Sequence, residues 1–231
     1  ISGVLGLEPV QLDDKRVSRV SIGSLSRWRE KDIVAGDQVS ISLAGQGIPR
    51  FNDVLWRVSE RDYPSPPDEQ QYTMLSCFKL TADCNEQFLA RLEWLGGKQA
   101  LNFTGLGRSG WKRLMQAGSL NHLFSWMALT EETLQASVGI SQHRAHLFWQ
   151  QFQFSRQQPF KRWVRALGVP IPESALRALV DDNWEVLLSR TEKQWQQLPG
   201  IGVGLARQIG DFLTHRDVQE MIAWLRPTEP N

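Results

Sequence analysis

Leu198-Pro-Gly-Ile-Gly-Val-Gly-Leu-Ala206 is the stretch that decides the fold. An apolar residue and a proline lead into Gly-x-Gly, and Ala206 already sits in an apolar-periodic segment. Glycine admits φ > 0 and close backbone approach. The string therefore reads as the turn of a helix-hairpin-helix, two short helices joined by a loop too tight for side chains. The exposed N–H groups of such a loop open the second helix, whose N-terminus favours an anion. A DNA phosphate is the anion that fits this reading.

Working backwards, related turns recur at intervals of roughly 30 residues, the signature of repeated supersecondary units. Gly105-Leu-Gly107 is followed by Trp111, Leu114 and the stop signal Ala117-Gly118. Val138-Gly-Ile-Ser141 follows Leu134 and precedes Ala145, Leu147 and Phe148. Leu167-Gly-Val-Pro-Ile-Pro172 precedes Ala175, Leu176 and Leu179. The turns are unequal. Ser141 replaces the second glycine, so an αL conformation there would carry a cost, and Pro170 and Pro172 remove N–H donors. The third hairpin is therefore expected to be mainly structural.

Net charge is only +1, but its distribution is uneven. Residues 101–180 hold nine Lys/Arg against three Asp/Glu, whereas residues 181–231 hold five against eight. The excess falls on Arg108, Lys112, Arg113, Arg144, Arg156, Lys161, Arg162 and Arg165, and clustered positive charge marks a phosphate surface. A solvated helical face is the plain alternative.

Upstream, Val17–Ile22 and Gln38–Leu43 alternate apolar and polar residues as half-buried strands do, and Val54–Val58 supplies another. Turn signals at Asp13-Asp14, Gly36-Asp37 and Gly45-Gln-Gly47 separate them. Several short strands within residues 1–60 suggest a small Greek-key barrel of the OB type. Tyr63-Pro-Ser-Pro-Pro67 with Asp68 and Glu69 reads as a rigid linker. Phe88, Leu89, Leu92 and Leu95 mark a helix ended by Gly96-Gly97, and Arg226–Asn231 is a short tail. The fold class is thus a multidomain β + α chain: an N-terminal OB-type barrel at 1–60, a linker at 61–98, and an all-α tandem hairpin domain with four motifs at 99–231.

At 231 residues the chain can hold one large domain or two to three small ones. No apolar run approaches the roughly 20 residues of a membrane span, and no signal-peptide pattern opens the chain. It begins with Ile1 rather than Met, so a piece of a longer protein is expected. Cys77 and Cys84 suggest no disulfide scaffold, which makes the cytoplasm the default compartment, with a nucleoid association and a monomeric state expected.

The order of parts resembles the C-terminal half of the bacterial NAD-dependent DNA ligases. Val4-Leu-Gly-Leu-Glu-Pro9, Val17-Ser-Arg19, Lys31-Asp-Ile33, Gly36-Asp37 and Ala44-Gly-Gln-Gly-Ile-Pro49 are similar to that family's barrel in order and spacing. Leu101–Gly107 resembles its first hairpin, Ala166-Leu-Gly-Val169 the lead into its third, and Leu198–Gly202 its fourth. Two departures narrow the likeness. The family's four-cysteine zinc module is reduced to Cys77 and Cys84, too few to close a tetrahedral zinc site. No BRCT-like domain follows the hairpins. Both features resemble the shorter ligase B subfamily, and 61–98 would then be a degenerate zinc-module remnant, with no zinc expected.

The resemblance implies an intact enzyme that joins a 5′-phosphate to a 3′-hydroxyl using NAD as adenylate donor and a divalent metal such as Mg. No Lys in this chain is followed by x-Asp-Gly, the family's adenylation motif, and Lys31-Asp-Ile33 is the nearest approach. No catalytic residue is therefore expected here, and the adenylation domain would precede Ile1 on the same polypeptide. The implied partner is nicked double-stranded DNA. On the barrel, the resemblance assigns Gln46 and Ile48 to the minor groove and Arg19, Lys31 and Arg50 to phosphates. Gly47 stands where the family has a bulkier residue. On the hairpins it assigns Gly105, Leu106, Gly107, Gly139, Gly200, Ile201 and Gly202 with the cations Arg108, Lys112, Arg113 and Arg144. Such contacts position the protein without reading sequence.

Two motifs lead elsewhere. Gly105–Gly110 literally satisfies Gly-x-Gly-x-x-Gly, but a dinucleotide site needs a preceding parallel strand and an acidic residue about 20 positions on. His143 and His146 are three apart on a helix, and His122 and His143 could add ligands to the two cysteines, yet neither pair makes a convincing metal site. The tryptophans fall mostly at helical spacing, as core packing requires. Two other functional classes stay open: a non-enzymatic junction-binding protein and a helical protein-interaction module.

Overall fold

The computed structural model describes residues 1–226, except the side chain of Gln46. The expected tail beyond Arg226 lies outside the described residues. The chain divides into two compact units, Ile1–Tyr72 and Thr73–Asn231.

The first unit is built on two antiparallel hairpins. β1 (Ser2–Leu12) pairs with β2 (Lys15–Ser24) across the Asp13-Asp14 turn, and β3 (Gln38–Ala44) pairs with β4 (Ile48–Trp56) across Gly45–Gly47. β2 lies beside β4, and α1 (Leu25–Lys31) connects the hairpins. Val20, Ile22, Ile33 and Phe51 form the core, with Trp28, Val39 and Ile41 packed on it. Val17 and Val20 are both buried despite their spacing of three; opposite them the register shifts between Gly6↔Arg19 and Val10↔Val17, with the extra residues on β1. That bulge breaks the simple period of two.

Three features differ from the sequence expectation. β1 was not legible, because Gly3, Gly6 and Pro9 interrupt its alternation. β4 starts at Ile48 and stops at Trp56, earlier than Val54–Val58 suggested. α1 had no counterpart; Ser24 caps it by accepting the Arg27 N–H at 3.2 Å.

Asp37 also does more than mark a turn. Its carboxylate is fully shielded and accepts the Val34 and Val58 N–H groups, each at 3.0 Å. The Arg61 guanidinium grips the same carboxylate at 2.8 and 3.1 Å. Burial pushes the Asp37 carboxyl up, but these donors outweigh it and hold it below the usual carboxylate range. Residues 57–61 are thereby tied to the unit.

The second unit is helical from α2 (Asn85–Gly96) to α11 (Arg216–Leu225). Between them run α3 (Arg108–Gln116), α4 (Glu131–Ala136), α5 (Gln142–Ser155), α6 (Phe160–Leu167), α7 (Glu173–Ala178), α8 (Trp184–Leu188), α9 (Glu192–Gln196) and α10 (Val203–Thr214). One apolar core extends from Phe78 to Ile222. At its centre Trp126 stacks on Trp163 at 6.1 Å and meets Phe103 edge-on at 5.3 Å. Trp111, Trp184 and Trp195 are buried as well, consistent with packing as their default role.

The boundary between units falls at residue 72 because the segment after it packs into the helical core. Phe78, Phe88, Leu89, Leu92 and Leu95 all join that core. Arg91 donates to the Ser76 and Met74 carbonyls and lies over the Phe78 ring at 4.0 Å. Burial pushes its guanidinium pKa down to about 10. Residues 73–98 are therefore part of the helical unit rather than linker. Within this segment Cys77 and Cys84 are joined in a disulfide, although two cysteines suggested no disulfide scaffold. Sequence spacing alone could not reveal it, and Cys77 itself has φ +61°.

Candidate nucleic-acid interface

Four glycine turns connect helices in the second unit, and three share one geometry. Gly105, Gly139 and Gly200 have φ of +78°, +78° and +79°. In each turn the next residue, Leu106, Ile140 or Ile201, is a buried apolar anchor. The residue after that, Gly107, Ser141 or Gly202, is the extended N-cap of α3, α5 or α10. The remaining turn, third in chain order, departs from this register. Gly168 has φ +86°, but α7 starts five residues later behind Pro172.

Only the first glycine of Gly-x-Gly is thus conformationally required. Ser141 does not adopt αL; it has φ −72° and its hydroxyl accepts the Arg144 N–H. The expected strain at Ser141 is absent, because an N-cap is extended and serine is favoured there. The same comparison explains what a second glycine does. Gly107 and Gly202 have no side chain to cap the first helical turn, and an added Cβ at either would meet nothing within 4 Å. Two helix starts therefore present orphan N–H groups to an external acceptor, while α5 partly caps itself.

The buried anchors bear on two of the predicted positions. Leu106 and Ile201 can offer only their backbone, and the Ile201 N–H already donates to the Leu198 carbonyl at 3.2 Å. The open donors at this turn belong to Gly202 and the start of α10. Apolar Val138 and Val203 stand exposed beside the second and fourth turns, a detail the sequence reading passed over.

The predicted cations divide into two groups. Lys112 and Arg144 project from α3 and α5, are exposed, and have no side-chain partner among the described residues. Arg108 is engaged instead by α2, at 2.6 Å from Glu86 and 2.5 Å from Glu93. Arg113 donates to the Gly139 carbonyl at 2.9 Å and so fixes the second turn against α3. Arg156 likewise donates to the Met127 carbonyl at 3.0 Å. Long-range pairings of this kind are invisible to a count of charges.

On the first unit, Arg19 and Arg50 are exposed on β2 and β4, and Ile48 is 59% exposed at the start of β4. Lys31 pairs with Asp53 at 3.4 Å. Gln46 lies outside the residues whose side chains are described. Gly47 has φ +68°, and its carbonyl accepts Lys15 Nζ at 3.0 Å. An added Cβ there would lie 2.5 Å from that ammonium, so glycine suits both the backbone and the lysine above it.

Cofactor and metal assignments were also tested against these residues. The Gly105–Gly110 run enters a helix from another helix, with no parallel strand before it, and does not form a dinucleotide cradle. Cys77 and Cys84 are bonded to each other and so do not fit a zinc ion. His122 meets the Trp224 ring at a tilt of 36° with centroids 4.5 Å apart, and His146 contacts Glu131 and Gln150, each at 2.9 Å. No cluster of three or more metal-ligating side chains occurs among the described residues.

A small β unit with an exposed loop, followed by helices joined at amide-lined glycine turns, is an architecture suited to gripping a polyanion. Comparison with known families specifies the first of these parts. Residues 1–63 match the family model described as the NAD-dependent DNA ligase OB-fold domain. The first unit is therefore similar to the OB-fold domain of those ligases.

Proposed function

We propose that this chain is the duplex-gripping portion of an NAD-dependent DNA ligase, nearest in its parts to the ligase B subfamily. Nicked double-stranded DNA is its partner. NAD and the divalent metal act at an adenylation domain carried elsewhere on the polypeptide, where a 5′-phosphate is joined to a 3′-hydroxyl. The observation that carries this reading is the pair of uncapped helix starts at Gly107 and Gly202, built to one geometry in a chain whose first unit matches the ligase barrel. The four glycine turns are read as tandem helix-hairpin-helix motifs in which the first and fourth donate amides to phosphates. Lys112 and Arg144 add long-range attraction, and Ile48, Arg19 and Arg50 supply the barrel's contacts.

Anisotropy of a labelled nicked duplex, titrated with the chain at several salt concentrations, tests the proposal. Two phosphates held at the open turns set a log K against log salt slope of about −2 or steeper. Binding that is equally negligible for nicked duplex and for unrelated polyanions contradicts it. A preference for four-way junctions would instead point to a junction-binding protein.

A further inference from the structure

A cleft of about 640 Å³ opens in the second unit between the loop after α2 and the helices α6 and α7. Its wall carries Lys98, Lys161, Arg162, Arg165 and Arg177 against one carboxylate, Glu173. Glu173 is already shared, contacting both Arg165 and Arg177. The other cations are held by neutral groups. Arg162 donates to the Lys98 and Ala100 carbonyls at 3.1 and 2.6 Å, and Lys161 to the Arg177 carbonyl at 2.8 Å. Carbonyl oxygens orient these side chains without neutralising them. The Lys98 ammonium has no protein partner among the described residues.

Four positive charges in excess around one concavity form a focused field that an anion relieves. The Arg165 side chain is only 12% exposed, and buried Leu176 adds an apolar wall. The volume lies in the range of ligand sites and exceeds a single phosphate. On one side the cleft meets the loop leading toward Gly105. On the other it is bounded by α7, whose Ser174 hydroxyl donates to the Pro199 carbonyl of the fourth turn at 3.2 Å.

We propose that this cleft is a second phosphate-binding subsite, taking successive phosphodiesters of a nucleic-acid strand by charge rather than by open helix amides. The inference rests on the reading that DNA is the partner. It gives the third turn, which lacks an open glycine cap, a function of its own.

The test uses the full chain with a nicked duplex and, separately, inorganic pyrophosphate. Lys98→Gln weakens duplex binding about threefold to tenfold and reduces the salt slope by about 1. Glu173→Gln removes the one carboxylate among the described residues lining the cleft and tightens binding about twofold to fivefold, as loss of one solvated unit charge near an anion does. A merely structural Glu173 would give the opposite sign or no change. If the wild-type chain binds duplex and neither variant alters affinity or slope, the subsite is overturned while the clamp reading stands. If duplex does not bind but pyrophosphate shifts the Gln99 and Leu176 amide resonances, and Lys98→Gln abolishes those shifts, the cleft takes free phosphates and its assignment to nucleic acid is overturned. If neither ligand binds, both readings fail.

Discussion

The turn geometry separates two glycines that look alike in sequence. Gly200 has φ +79°, and an added Cβ would lie 3.3 Å from Ser174 Oγ; Gly202 has φ −88° and open space around it. Placing serine at each tests the difference. Gly200→Ser forces an L side chain into αL, at a cost of about 1–2 kcal/mol, before any adjustment of Ser174. For a chain of this size that corresponds to a fall in Tm of about 2–8 °C. Gly202→Ser places a favoured cap at an N-cap and changes stability by only a few tenths of a kcal/mol. Its hydroxyl would accept a first-turn N–H of α10, as Ser141 does in α5, and compete with a phosphate for it. Loss of one such hydrogen bond is worth about 1 kcal/mol, close to fivefold in affinity. Thermal unfolding followed by tryptophan fluorescence, paired with duplex titration, reads both quantities. A Gly202→Ser protein destabilised as much as Gly200→Ser, or one that binds DNA at wild-type strength, refutes the reasoning.

Three further outcomes follow from the same geometry. Reduction, or Cys77→Ser with Cys84→Ser, opens a short covalent loop and lowers the stability of the helical unit by about 2 kcal/mol; rapid labelling of both thiols in the untreated native protein would contradict the pairing. Asp37 has its carboxyl pKa lowered on folding, so its contribution is complete above the ordinary value near 4 and fades as pH falls through that range. Unfolding curves of the wild type and Asp37→Asn should therefore converge on acidification, and parallel curves from about pH 7 to 3 would show that the Arg61 network is not responsible. Charge reversal at Lys112 and Arg144 together should weaken duplex binding more than reversal at Lys193, because the first two flank the turns and have no side-chain partner among the described residues; equal effects would deny them a role.

Local chemistry was legible in the sequence, and long-range pairing was not. Glycine turns followed by apolar periodicity marked the turns that lead into α3, α5 and α10, because an αL residue and a helix start are decided by near neighbours. The strands β2 and β3 were legible for the same reason. What escaped depended on distant partners. Arg108 reads as a free cation until α2 brings Glu86 and Glu93 beside it, and Arg113 until the second turn offers the Gly139 carbonyl. Arg91 tethers the strap that carries the cysteines, so a segment with linker composition belongs to a core. Ser141 taught the opposite lesson: the sequence rule that both glycines matter was too strict, and the N-cap dihedral shows why.

The central claim is that the glycine-capped helix starts of the first and fourth turns present open amides to DNA phosphates, whereas the Gly168 and Val169 amides of the third turn are already bonded. Backbone ¹H–¹⁵N spectra of the chain titrated with a nicked duplex test it most directly. The account predicts the largest shifts at Gly107 and Arg108 and at Gly202 and Val203, with the Gly168–Val169 amides nearly unmoved, since both already donate to α6 carbonyls. Shifts of equal size at Gly168 and Val169, or none at Gly107 and Gly202 while the duplex binds, would contradict it.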